Sequence, residues 1–258
     1  MLAGATWETT MLEKVYVEKT YTLEILYHIG VLEDSIHFIF DHHSKTCAIV
    51  DPAWDADLFL KRIHHKGYTL TDIWLTHWHF DHTNAVDELV AKTGAKVTVG
   101  EHEVPYLQID TLPETVAHND TIFIGETAAQ IIHTPGHSAG GICYFLDNRL
   151  IAGDTLFVYG AGHCSLPGGN IRELFDSMQT LKALDDAVML HCGHDYGVVI
   201  ETTMGEQKQG NAFLLIDNES DFVRYVEGMA QGHYPYPTSA TSSADMQALL
   251  SAKARLSR

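Results

Sequence analysis

The stretch THWHFDH, residues 76–82, sets His77, His79 and His82 beside Asp81. Neutral imidazoles gain little from one another, and an aspartate among them needs a partner or water. A cation in their midst would satisfy all four. Residues two apart in an extended segment point the same way, so His77 and His79 can meet one ion. Asp81 and His82 fall at the turn into the next helix, from which they can reach back to the same place. Three later stretches add to the set. HTPGHS (133–138) puts His137 after a Pro-Gly turn at the end of an apolar strand; IAGDTLF (151–157) and HCGHDYG (191–197) put Asp154 and His194 at strand mouths in the same way. Four strand-end loops thus offer ligands of the kind that zinc, iron and manganese accept. Loops along one edge of a rigid scaffold are where such residues can converge.

The elements that must position them can be read from apolar spacing. From about residue 14 to 51 the pattern has period two (Val15, Val17, Leu23, Ile25, Ile36, Phe38, Phe40), which predicts half-buried antiparallel strands. WDADLFLKRIHHKG switches to helical spacing and stops at Gly67. TDIWLTH reads as a short buried strand, DHTNAVDELVAKTG as a helix closing at Gly94, and AKVTVG as a strand. A less regular connection over 101–118 follows. TIFIG, AAQIIHT, GICYFLD and RLIAGDTLF read as strands, NIRELFDSMQTLKAL as a helix, AVMLHCGH as a strand running into a loop, and the last sixty residues as mainly helical. This order suits an α/β (α+β) chain in which two sheets pack on each other with helices outside, a four-layer αββα arrangement. The expectation is a single domain over 1–258, with its core at about 14–215 and a helical C-terminal appendage over about 203–258. Residues before 20 fit either an apolar-edged strand or a dimer contact, which leaves a homodimer open.

The chain has 258 residues, 34 Asp and Glu against 16 Lys and Arg, and a formal net charge of -18. Such a surface repels phosphate backbones, so nucleic acid is a poor partner. The nearest basic cluster, KRIHHKG at 61–67, reads as a helix end. No apolar run approaches a membrane span and the N-terminus lacks a basic start followed by an apolar stretch, so a cytoplasmic protein acting on a small molecule, away from membranes, is expected. The cysteines (Cys47, Cys143, Cys164, Cys192) are widely spaced and are expected to be free thiols. His42 with His43 and His64 with His65 read as solvated pairs, while His133 and His191 could orient a ligand from behind.

H-x-H-x-D-H, T-P-G-H, G-D-T-L-F and G-H-D-Y, in that order over roughly residues 20 to 215, resemble the metallo-β-lactamase superfamily, and within it the glyoxalase II-like (hydroxyacylglutathione hydrolase-like) hydrolases and the related persulfide dioxygenases. The resemblance implies the αββα sandwich with two divalent ions at its edge, zinc above all, with iron or manganese as variants. By motif position His77, His79 and His137 would bind one ion and Asp81, His82 and His194 the other. Asp154 would bridge them. Asp81 would also serve catalysis by orienting the metal-bridging hydroxide and taking its proton. His79 stands where the oxygen-reducing diiron branch has Glu, and Asp154 where many true β-lactamases have another residue.

Ala161 and His163 replace the Cys and the basic residue that glyoxalase II-like proteins carry after D-T-L-F, which puts glutathione recognition in doubt. His163 and Tyr196 are candidate substrate contacts. Thr203, Gly205, Glu206, Lys208 and Asn211 match a block of the short bacterial members and persulfide dioxygenases, and packing is its expected role. The implied activity is metal-dependent hydrolysis of a thioester or related small acyl substrate. Alternatives are a persulfide dioxygenase with one iron on His77, His137 and Asp154, a lactonase, and, from another class, a non-catalytic binding or scaffold protein.

Overall fold

The period-two segments pair as a meander. In this computed structural model, which describes residues 11–254, β1 (Leu12–Val17), β2 (Tyr21–Ile29), β3 (Asp34–Asp41) and β4 (Thr46–Val50) run antiparallel to one another. Helix α1 (Ala56–His65) then crosses over, and β5 (Thr69–Trp74) lies parallel to β4. Two short helices follow, α2 (Phe80–Thr83) and α3 (Val86–Thr93). β6 (Lys96–Gly100), a 3-10 turn over Glu101–Tyr106 and β7 (Glu114–Val116) complete a seven-stranded sheet in chain order.

A second sheet is built from β8 (Thr121–Ile124), β9 (Thr127–His133), β10 (Ile142–Leu146) and β11 (Arg149–Ile151). The chain leaves it for the small hairpin β12 (Leu156–Phe157) and β13 (Gly160–Ala161), then for α4 (Ile171–Lys182). It returns as β14 (Met189–His191), parallel to β11, and β15 (Thr202–Thr203). Helices α5 (Met204–Gly210), α6 (Glu219–Ala230) and α7 (Ser243–Ala254) follow.

Three buried apolar clusters define the layers. Ile36, Phe38 and Phe40 of β3 pack with Phe59 and Ile63 of α1 and Leu89 of α3. Between the sheets, Ile25, Ile39 and Trp74 meet Ile131, Tyr144 and Ile151. Beyond the second sheet, Leu150 packs with Leu174, Met178, Phe213 and Phe222. Helix, sheet, sheet, helix is the expected four-layer order. Each large side chain fully withdrawn from water contributes about 1.5–3 kcal/mol, so three such interfaces hold the sheet edges rigidly.

The structure corrects several local expectations. β3 is buried along its whole length, not half-buried, because its alternation separates two apolar layers and neither face meets water. The expected helix over 81–94 is broken. Asn84 Oδ1 accepts from the Trp54 N–H at 2.6 Å and the Ala85 N–H donates to Pro52 O, which interrupts the helical ladder and separates α2 from α3. Gly94 caps α3 in the left-handed conformation (φ 70°), as read. RLIAGDTLF is two strands, and Asp154 sits in the turn between them.

The basic run at 61–67 does end α1, where Arg62 and Lys66 flank the buried Glu24 of β2. Phe222, Tyr225 and Met246 from the C-terminal helices are buried in the same cluster as α4. Residues 12–17 are an edge strand, whereas residues 1–10 lie outside the described residues. The four cysteines are free. Among the described residues no helix is long and apolar enough to cross a membrane.

Candidate metal centre

β5, β9, β11 and β14 all deliver their C-terminal ends to one rim of the sandwich, and each continues into a loop bearing the side chains read from the sequence. The structure brings all seven together. His77 Nε2 and His137 Nε2 each lie 3.0 Å from His79 Nδ1. His82 Nε2 lies 3.3 Å from His194 Nε2. Asp154 stands between the two groups, with Oδ2 3.6 Å from His137 Nε2 and 3.4 Å from His194 Nε2, and Oδ1 3.5 Å from His82 Nε2. Asp81 Oδ2 approaches His194 Nε2 at 3.5 Å and His82 Nε2 at 3.8 Å. Asp81 is the least enclosed of the set, its side chain 17% exposed.

The outward ring nitrogens are held from behind. Thr76 Oγ1 donates to Asp51 Oδ2 at 2.5 Å, so its remaining capacity is to accept, and His77 Nδ1 donates to it at 3.0 Å. His82 Nδ1 donates to the same Asp51 carboxylate at 3.1 Å. His137 Nδ1 donates to His163 O at 2.6 Å and His194 Nδ1 to Leu32 O at 3.0 Å. Each of these bonds places a proton on the far nitrogen and leaves Nε2 turned inward. His79 Nδ1 then faces two further imidazole nitrogens at 3.0 Å, and Asp154 Oδ1 is buried with no hydrogen-bond partner.

A cation removes that conflict. The separations are close to those between ligand nitrogens on a tetrahedral ion with bonds of about 2.0–2.1 Å. His77, His79 and His137 offer ligand atoms within 4.8 Å of one another, as do Asp34, Asp81, His82 and His194, and also Asp51, His77 and His82. The residues therefore fit a His/Asp site for divalent metal.

The electrostatics divide the cluster. Burial lowers His77 far below its ordinary value, and burial with neighbouring His137 lowers His79 to about 3. His137 is lowered by burial as well. In the other half burial also opposes charge, but carboxylates outweigh it. Asp154 and Asp51 raise His82 well above its ordinary value, and Asp154 and Asp81 raise His194 to about 10. Burial would raise Asp154, yet His194 and His82 hold it well below the usual carboxylate range. One half thus presents free lone pairs, and the other holds protons that metal must displace.

Glycines permit the close packing. A methyl group at Gly193 would overlap the Asp154 carboxylate, and one at Gly162 would overlap the His137 ring. Gly162 follows β13, and that hairpin is fastened from the C-terminal region. Asn211 Nδ2 donates to Phe157 O at 3.2 Å and to Gly160 O at 3.0 Å. Tyr236 Oη accepts from the Ala161 N–H and donates to Ala161 O. The block around residues 203–211 thereby acts in packing. Thr203 and Glu206 form a capping box on α5, and Lys208 reaches Leu184 O and Asp186.

Several supporting residues had no motif to announce them: Thr76, Asp51, Asp34 and Glu103. Asp34 lies 3.5 Å from His194 Nδ1, behind the ring, and burial raises its carboxyl to about 6. Glu103, fully buried, accepts from the Trp78 N–H at 2.8 Å through Oε2 and from the Gly140 N–H through Oε1. It thereby joins the loop of His77 and His79 to the loop of His137. The usable signal for Asp51 was an acid directly after the buried run CAIV, at the end of a strand beside β5; Glu103 left none.

His133 and His191, read as possible supports, lie elsewhere. His133 Nε2 is 3.4 Å from Ala139 O, and His191 is buried between the sheets with Arg149 Nη1 at 3.4 Å. His43, His64 and His65 are exposed as read, while His42 is half-buried and reaches Thr22 Oγ1 at 2.9 Å.

Above the cluster opens a pocket of about 440 Å³, lined by Leu32, Trp78, Phe80, Phe157, Leu166 and by His163 and Tyr196, with Asp81, Asp154 and His194 at its floor. Tyr196 stacks on His194 at 4.8 Å with the rings 5° apart, and burial raises its phenol. His163 is exposed on the wall, its ring 5.3 Å from that of His137 and its Nδ1 2.9 Å from Ser165 Oγ.

Comparison with known proteins agrees with this geometry. The family profile described as "Metallo-beta-lactamase superfamily" matches residues 34–194. The chain is 33% identical over 192 residues to the probable polyketide biosynthesis zinc-dependent hydrolase PksB of Bacillus subtilis, covering 73% of this chain and 85% of that protein. It is 36% identical over 174 residues to a hydroxyacylglutathione hydrolase of Erythrobacter litoralis, covering 66% of this chain and 67% of the other. Among solved structures, ETHE1 from Myxococcus xanthus superposes with a TM-score of 0.71 at 26% identity, over 85% of this chain and 91% of that one.

Proposed function

Since the chain belongs to the metallo-β-lactamase superfamily, we propose that it is a metal-dependent hydrolase that cleaves a thioester or related small acyl substrate at a two-ion site. The observation that carries this reading is the set of inward-turned imidazole nitrogens, 3.0–3.3 Å apart and each but that of His79 fixed from behind, around a carboxylate that reaches both groups. His77, His79 and His137 would hold one ion, Asp81, His82 and His194 the other, with Asp154 between. The zinc-dependent hydrolase among the relatives supports zinc. Divalent ions in such a site bring the pKa of water toward neutrality and polarise an acyl carbonyl.

The chain's own residues do the rest. Asp81 faces the pocket, and although burial would raise its carboxyl, His194 and His82 hold it below the ordinary range. It is therefore ionised at neutral pH and placed to accept and orient the proton of an attacking water. A hydroxyacylglutathione hydrolase among the relatives supports a thioester as the substrate class.

A second reading is a persulfide dioxygenase with a single iron on His77, His137 and Asp154. It is favoured by the closeness of the His77 and His137 rings, 4.9 Å apart, with Asp154 Oδ2 3.6 Å from His137. Metal analysis of protein purified without added metal, with thiol release from acyl thioesters and oxygen uptake on glutathione persulfide, tests both. Zinc with thiol release is expected; bound iron with oxygen uptake and no thiol release would overturn the hydrolase.

A further inference from the structure

We propose that the pocket above the cluster selects a substrate with an apolar chain and no anionic group on its thiol arm, which on the hydrolase reading above is an uncharged, apolar acyl thioester. The walls carry the inference. Leu32, Trp78, Phe80, Phe157, Leu166 and Tyr196 form them, and four remain open to solvent: Phe80 is 65% exposed, Leu32 45%, Tyr196 42% and Leu166 41%. Val31 and Val198, in the loops beside this wall, are exposed too. Several large apolar side chains gathered at the mouth of a pocket make a surface suited to an apolar ligand.

Charge points the same way. The five segments that build the floor and walls, residues 31–34, 76–82, 135–141, 153–170 and 192–200, contain Glu33, Asp34, Asp81, Asp154 and Asp195 and not one Lys or Arg. A carboxylate on the substrate would find no guanidinium or ammonium along these segments, and the two acids that line the pocket, Asp81 and Asp154, belong to the metal set. Among the described residues, the only basic-type side chain on the wall outside the metal cluster, His163, already has Nδ1 engaged with Ser165. A substrate carrying glutathione's two carboxylates is therefore poorly matched to this surface, whereas burial of methylenes against it strengthens binding by about fourfold each.

The test separates ligand class from turnover. S-alkyl thioethers of N-acetylcysteine and of N-acetylcysteinamide, from ethyl to octyl, differ only by one carboxylate, and neither series can be hydrolysed as a thioester. Their dissociation constants are measured on the metal-loaded protein. The amide series is expected to bind about tenfold tighter than the acid series and to tighten up to about fourfold per methylene until the pocket fills. Leu166→Arg, a substitution at an exposed wall position, is expected to close the gap between the series. Equal or tighter binding of the acids, or no dependence on chain length, overturns the proposal. The corresponding acyl thioesters are then assayed for thiol release. The expected binding order without cleavage of any of them would uphold the ligand class and overturn the hydrolase.

Discussion

His82 Nδ1 lies 3.1 Å from Asp51 Oδ2, and the same carboxylate oxygen receives the Thr76 hydroxyl to which His77 donates. One buried acid thus sets the orientation of a histidine in each half of the cluster. Asp51→Asn keeps the shape but removes the charge and one acceptor. Metal affinity, measured by competition with a chelator, is expected to fall about 10–100-fold while the far-ultraviolet dichroism stays unchanged. An unaltered affinity would remove Asp51 from the site's support.

Asp154 Oδ2 lies within 3.6 Å of both His137 Nε2 and His194 Nε2. Asp154→Ala is expected to reduce the bound metal measured by elemental analysis and to abolish thiol release. Without metal the same variant should lose the raised pKa of His194, seen in the imidazole resonances by NMR, because Asp154 is the largest of the carboxylate influences on it.

Glu103 is a positioning residue. Its two oxygens accept from Trp78 and Gly140, so Glu103→Gln sets an amide donor against one of those N–H groups. Denaturant titration is expected to show a loss of about 1–3 kcal/mol. Metal affinity should fall as well, since the loops of His77 and His137 are no longer tied, and a variant that lost stability alone would show Glu103 to be a packing residue.

The metal-free protein has a pH signature. His194 and His82 have folded pKa values raised above the unfolded one, so their contribution is complete below about pH 6.5 and is lost as pH climbs toward about 10. His79, lowered to about 3, acts at the other end, withdrawing stability as pH drops below 6.5 because the unfolded chain binds the proton more readily. Scanning calorimetry of chelator-stripped protein should show Tm declining on both sides, and metal loading should flatten the alkaline limb. Proton release on metal binding, read with a pH indicator, checks the same point. A stripped protein whose Tm held steady up to pH 10 would contradict the charged state assigned to His82 and His194.

The layers and the seven polar side chains were legible because each depends on short-range pattern: period two, period 3.6, or a motif of a few residues. The break between α2 and α3 was not, since it is imposed by Pro52 and Trp54 from another loop. The full burial of β3 was hidden because alternation reports two distinct faces and not what covers them. Asp51, Thr76 and Glu103 escaped for a related reason. The bonds from Asp51 to Thr76 and from Glu103 to Trp78 and Gly140 span 25 to 37 residues, where no local spacing can reveal a hydrogen bond. His163 was read for its side chain, whereas its hydrogen bond with His137 is made through its backbone carbonyl.

The fastening of β12 and β13 by Asn211 and Tyr236 has a consequence for how much of the polypeptide the chemistry requires. Trimming the chain ahead of Tyr236 would spare both sheets, every imidazole and the Asn211 bonds, yet remove the phenol that fastens Ala161, two residues before the carbonyl that steadies His137. Such a shortened protein should hold its metal less tightly, so the loop between α6 and α7 acts as a brace for the site.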